Sequence, residues 1–158
     1  MKTGKLLLAL CVLGCTAVFA AVEPTSSQEL KLLRGWNLVT LLRPLEPSSA
    51  TAFLALKPMT LENNTYVQCT TSDKLKVGCG YWVFCRKEMN VVLVHDVEKT
   101  AVPPTLVTGW NLIGYEKGWI WPDLASIIWQ WNGIAGFSEV EKKTPLGEDG
   151  STYFVIAE

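Results

Sequence analysis

The chain has 158 residues, 14 basic and 15 acidic side chains, and a formal net charge of −1. No basic stripe runs along it, which argues against nucleic acid as a partner. A single histidine and the lack of a CxxC pair leave little from which to build a zinc centre.

Lys2 and Lys5 form a short basic start, Leu6 to Phe19 is an uncharged apolar run, and Val18-Phe19-Ala20 offers the small residues that a signal peptidase reads. Residues 1–20 are therefore expected to be a signal peptide. The apolar run is too short to span a bilayer. Lipid attachment at Cys15 is a minority alternative, because Leu13-Gly14 fits poorly and the apolar run continues beyond it. Residues 21–29 read as a polar tether. Without Lys2 and Lys5 the net charge moves from −1 to −3. Export to the periplasm or the extracellular space would allow a disulfide, and the remaining cysteines are Cys69, Cys79 and Cys85. Cys79 and Cys85 lie too far apart along one strand to join each other, so a bridge would pair Cys69 with either of them.

The sequence then states one pattern twice. Gly35-Trp36-Asn37-Leu38-Val39 returns as Gly109-Trp110-Asn111-Leu112-Ile113, and Gly80-Tyr81-Trp82-Val83-Phe84 is echoed by Thr152-Tyr153-Phe154-Val155-Ile156. This predicts two repeats, 30–104 and 105–158, divided at Val102-Pro103-Pro104. Each half opens on a strand after a glycine suited to positive φ. Asn37 and Asn111 sit inside these apolar strands, and a buried amide must be paired, so each is expected to hold nearby loop backbone.

A short helix is expected next. In the first half Ser48 would cap a body from Ala50 to Leu56; in the second Asp123 would cap Leu124 to Ile128, each after a proline. A strand over Thr65 to Thr71 follows in the first half. In the second, Trp129-Gln130-Trp131 and Phe137 to Val140 flank the Asn132-Gly133 turn. Then come the Tyr81 and Tyr153 strands. The first half adds Val91 to His95, with no counterpart in the second. The fold class is thus mainly β, shading into α+β: two pseudo-symmetric repeats, each strand–short helix–hairpin–strand, sharing one core. The strands of Trp36 and Trp110 would lie near the centre. Trp36, Trp82, Trp110, Trp129 and Trp131 would fill that core.

The GWNL(V/I) strand, short helix, aromatic hairpin and GYWV strand resemble a repeat module of exported bacterial proteins, often in tandem in large surface polypeptides. The resemblance covers roughly 34–84 and 109–156, and departs at Gly150-Ser151-Thr152-Tyr153-Phe154. It implies an accessory or adhesive role without catalysis.

Candidate chemistry is sparse. His95-Asp96 could serve a small secreted hydrolase with Cys79, Cys85 or a serine, although a strand-end histidine explains it more simply. Glu139 and Glu141 read as a charged strand edge, and Gly147-Glu148-Asp149-Gly150 as a turn. No cofactor or metal is expected. Trp119 and Trp121, in a stretch longer than its first-half counterpart, suggest carbohydrate stacking, against the plainer reading of a lid over the core. The leading expectation is an exported, non-enzymatic binding or structural module for a protein or glycan at the cell surface. It would act through an unpaired sheet edge at 153–157, which also admits a homodimer.

Overall fold

The computed structural model describes residues 27–99, 105–114, 121, 123–141 and 151–158. The expectations for the leader, Cys15, Trp119 and 147–150 lie outside the described residues.

The elements in chain order are β1 (Ser27–Leu32), β2 (Gly35–Thr40), α1 (Pro47–Ala55), β3 (Met59–Glu62), β4 (Thr65–Gln68), β5 (Gly80–Cys85) and β6 (Met89–Val94), then β7 (Gly109–Gly114), β8 (Ala125–Trp131), β9 (Phe137–Glu139) and β10 (Thr152–Ala157). The protein is mainly β, with all strand pairs antiparallel. One sheet has the order β2-β5-β3-β4, a second β7-β10-β8-β9, and β1 pairs with β6 as a two-stranded ribbon.

Several expectations need correction. The supposed tether contains the start of β1: Ser27 to Leu32 pair residue for residue with Val94 to Met89. The Gln28 carboxamide also donates to Thr40 O at 2.9 Å and accepts from Leu42 N–H at 3.3 Å. Those bonds hold a polar segment that composition alone marks as loose. Helix α1 begins at Pro47, with Glu46 extended before it, so Ser48 lies inside the first turn rather than at the cap. Ser49 Oγ instead accepts from Val94 N–H at 2.8 Å and ties the helix to β6. The expected second helix at 124–128 is not formed; Ala125 to Trp131 are a strand. Ile127, Ile128, Trp129 and Trp131 favour a pleated surface, and pairing with β10 outweighs the local capping signal. The single strand expected at 65–71 is a β3–β4 hairpin, turning through Asn63 and Asn64 at φ 49° and 59°. Two consecutive positive-φ residues are what a two-residue type I′ turn requires, and asparagine tolerates them.

The Trp36 and Trp110 strands are edges, not centres: β5 and β10 occupy the interior positions. In β2 and β7 alike, an asparagine ties down the turn that precedes the strand. Asn37 accepts from Leu33 N–H at 2.8 Å and donates to Leu33 O and Gly35 O at 2.9 and 3.1 Å. Asn111 makes the same bonds to Val107 N–H, Val107 O and Gly109 O at 2.9, 2.7 and 2.9 Å. The clamp closes the turn at Gly35 (φ 102°) or Gly109 (φ 97°). Asn37→Ala or Asn111→Ala strands a main-chain N–H and two carbonyls, and is expected to cost about 2–3 kcal/mol in urea denaturation. A loss under about 0.5 kcal/mol would show that water replaces the amide fully.

The halves do not share one buried core. One cluster, on the side of β5 that carries Tyr81, Val83 and Cys85, includes Leu30, Leu32, Leu41, Phe53 and Leu93 from β1, α1, β6 and the segment after β2. The other, beneath β10, gathers Tyr153, Val155 and Ala157 with Leu106, Ile113, Trp121, Ala125 and Ile128. Phe53 meets Tyr81 edge-on at 5.5 Å, and Trp121 meets Tyr153 edge-on at 4.9 Å. The opposite faces of the two sheets look at each other. They touch at one end, where Gly114 N–H donates to Gly78 O at 2.8 Å and Cys79 bridges Ile113. Here side chains must be small: a Cβ on Gly114 would fall on Thr40, and one on Gly80 would lie 2.7 Å from both Leu112 and Thr152. Thr40 pairs with Gly80 in one sheet and Gly114 with Thr152 in the other, so each glycine receives the other sheet's threonine.

Candidate binding site

Along β2, β5, β7, β8, β9 and β10, successive side chains alternate between the two faces of each sheet, one of them turned towards the other sheet. Trp36, Trp82, Phe84, Trp110, Trp129, Trp131, Phe137 and Phe154 all fall on that second face. This overturns the expectation that the tryptophans are core: Trp36 is 55 % exposed and Trp110 38 % exposed. The rings form a continuous chain. Phe84 contacts Trp36 at 5.3 Å and Trp36 contacts Trp82 at 6.3 Å. Trp82 crosses to the second sheet, meeting Trp131 at 5.0 Å and Phe137 at 6.4 Å. Phe137 continues to Phe154 at 5.1 Å, Phe154 to Trp110 at 6.0 Å, and Trp110 to Trp129 at 5.6 Å. Most of these pairs are edge-to-face, the arrangement ring quadrupoles favour by about 0.5–1.5 kcal/mol each.

Backbone contact at the Gly–Thr end and indoles further along the same faces cannot be met by one uniform separation. The result is a cleft. One part, about 410 Å³, is lined by Trp36, Met59, Tyr66, Trp82 and Trp131. The next, about 310 Å³, is lined by Leu61, Asn64, Tyr66, Trp110, Trp129, Phe137 and Phe154. Tyr66, half exposed on the outer strand β4, borders both. Among these lining residues the polar groups are the Asn64 carboxamide, the Tyr66 hydroxyl and the indole N–H groups, and the rest of the surface is apolar. Exposed apolar surface gathered in one place marks a contact site more often than scattered single residues do.

The other candidates fare differently. β10 is no open edge: Thr152–Ala157 pair with β7 on one side and, from Tyr153, with β8 on the other. Residues 153–157 therefore offer no unpaired edge for an added strand. Trp121 is 9 % exposed and packs on Tyr153, so it closes the second core instead of presenting a sugar-stacking face. His95 directly follows the end of β6, as expected, but is 3 % exposed rather than turned to solvent, and lies opposite Leu45 in an isolated bridge. Its neighbour Asp96 pairs with Lys99 at 2.7 Å, and that bond holds the carboxyl below the usual carboxylate range. A histidine closed off from solvent beside a committed carboxylate is a poor general base for an incoming substrate. Cys69, Cys79 and Cys85 are free thiols, not a disulfide, and burial pushes all three above the ordinary cysteine value. Glu139 is exposed on β9 opposite Trp129, and Glu141 is exposed beyond it. Among the described residues no cluster of three or more His, Cys, Asp or Glu gathers as for a metal ion, and no helix is long and apolar enough to cross a membrane.

The aromatic cleft was legible as a phase. Its residues share the alternation of Gly80 and Thr152, whereas Tyr81 and Tyr153 take the other.

Comparison with protein-family models, with curated proteins and with solved structures yields no match.

Proposed function

We propose that this protein is an exported, non-enzymatic binding module whose ligand site is the aromatic cleft between its two four-stranded sheets. The sheets are two copies of one unit, fused and turned face to face. Support for the duplication lies in the matching strand orders, the matching asparagine clamps, and the reciprocal glycine–threonine contacts. Support for export lies in the basic start and apolar run of residues 1–20. The observation that carries the binding reading is the position of the rings: large aromatics hold surface in water although two buried cores stand ready on the opposite faces. Such rings, with few competing polar groups, suit a ligand that offers apolar or aromatic surface.

The test uses 8-anilinonaphthalene-1-sulfonate, an aromatic probe, with the full chain. Saturable binding is expected at native pH. Trp36→Ala and Trp129→Ala should each weaken it at least tenfold while shifting the melting temperature by only a few degrees, because both side chains are substantially exposed. Unchanged probe binding in both variants would remove the cleft as the site.

A further inference from the structure

The open edge of β2 adds directional chemistry beside the cleft. In an antiparallel ladder the N–H and C=O of one residue point to the same side, and successive residues alternate. Gly78 N–H donates to Leu41 O at 3.0 Å, on the β5 side. Gln28 reaches Thr40 O and Leu42 N–H from the other side. The main-chain groups of Trp36 and Leu38 share the phase of Thr40 and Leu42, so they point away from β5, and no further strand pairs with them among the described residues. Trp36 and Leu38 line a cleft of about 600 Å³ together with Lys31, Arg34, Trp131 and Gly133.

We propose that this edge takes up a short extended peptide as an added strand, with an apolar side chain on Trp36 and Trp131 and an acidic group against Lys31 and Arg34. The inference rests on the cleft reading and names its ligand class. Only an extended backbone offers donors and acceptors at the spacing of Trp36 and Leu38. The Gln28 carboxamide closes the edge at Thr40, which limits the open stretch to residues 35–39 and the guest to about four or five residues. Charge gives the sign: Lys31 and Arg34 line the cleft against a single carboxylate, Glu88. The corresponding edge of β7 is met at its Ile113–Gly114 end by residues 78–79, and the Lys31–Arg34 pair stands beside β2, so β2 carries the proposal.

The probe is the blocked pentapeptide Asp-Phe-Thr-Phe-Thr, titrated against the full chain by tryptophan fluorescence. Two further versions carry N-methyl groups on the phenylalanine amides or on the alternate threonine amides. One methylated version should bind at least tenfold more weakly and the other within threefold of the parent, since only one set of amides faces β2. Lys31→Glu with Arg34→Glu should weaken the parent at least tenfold. Equal binding of all three peptides, or loss with both methylated versions alike, overturns strand addition. Failure of the parent peptide to bind while the naphthalene sulfonate still depends on Trp36 also overturns it, and leaves the cleft reading intact. If neither probe binds, both readings fall together.

Discussion

Gly114→Ala is expected to lower stability by about 3 kcal/mol, at the upper end of what overpacking usually costs. The added Cβ falls on the Oγ1, Cβ and Cγ2 of Thr40, in a place where the two sheets already share the Gly114–Gly78 backbone bond. The clash involves the Thr40 Cβ itself, and this makes a sharp distinction among rescue mutations. Thr40→Ala removes Oγ1 and Cγ2 but keeps the clashing Cβ, and should restore less than Thr40→Gly. Thr40→Gly removes it, and although it also forfeits the Thr40 Oγ1 bond to Cys79 O at 2.8 Å, the double variant should be more stable than the sum of the two single losses predicts, by about 2 kcal/mol of coupling. Urea midpoints for the four proteins measure this directly. A Gly114→Ala chain as stable as the parent would mean that the sheets do not meet at this point, and the cleft geometry would fall with them.

Tyr81→Ala should be more damaging still, about 4 kcal/mol, because the ring is fully buried and packs against Phe53. Tyr81→Phe separates ring from hydroxyl. The hydroxyl accepts from Lys76 N–H at 2.6 Å and donates to Lys76 O at 2.9 Å, so its loss orphans both groups and is expected to cost about 2 kcal/mol. The same burial raises the phenol well above the ordinary tyrosine value of 10.0. The folded protein therefore keeps this proton at pH values where the unfolded chain has released it. Its contribution is complete below about pH 10 and is lost as pH rises above that, with the thiols of buried Cys69 and Cys85 and half-buried Cys79 adding the same trend from about pH 9. Alkaline titration of stability should fall more gently in Tyr81→Phe than in the parent. An identical slope would show that the phenol is not shielded.

Much of the local structure could be read in the chain because short-range physics decides it. Gly35 and Gly109 must turn with positive φ, and Asn37 and Asn111 must pair their amides, wherever the surrounding sheet goes. The alternations around Tyr81 and Tyr153 announce strands by their own period. Other features have no local signal. Leu124 to Ile128 follow a proline and an aspartate in a pattern suited to a helix cap, and only the waiting edge of β10 turns Ala125 to Trp131 into strand. Met59 to Glu62 alternate apolar and polar residues, but four residues of alternation between Pro58 and the Asn63-Asn64 turn are a short signal, and pairing with β4 and β5 makes them strand.

The sequence by itself determined that this is a β protein written in two matching stretches, with defined turns and strand phases. Tertiary structure decided which strand sits inside each sheet, that each half buries its own core, and which aromatic face remains open. The reason is geometric. A strand with apolar residues on both faces can put either face inward at similar local cost, and the choice is made by what stands opposite: Phe53 and Trp121 behind the tyrosines, and Thr40 and Thr152 against the glycines of the facing sheet.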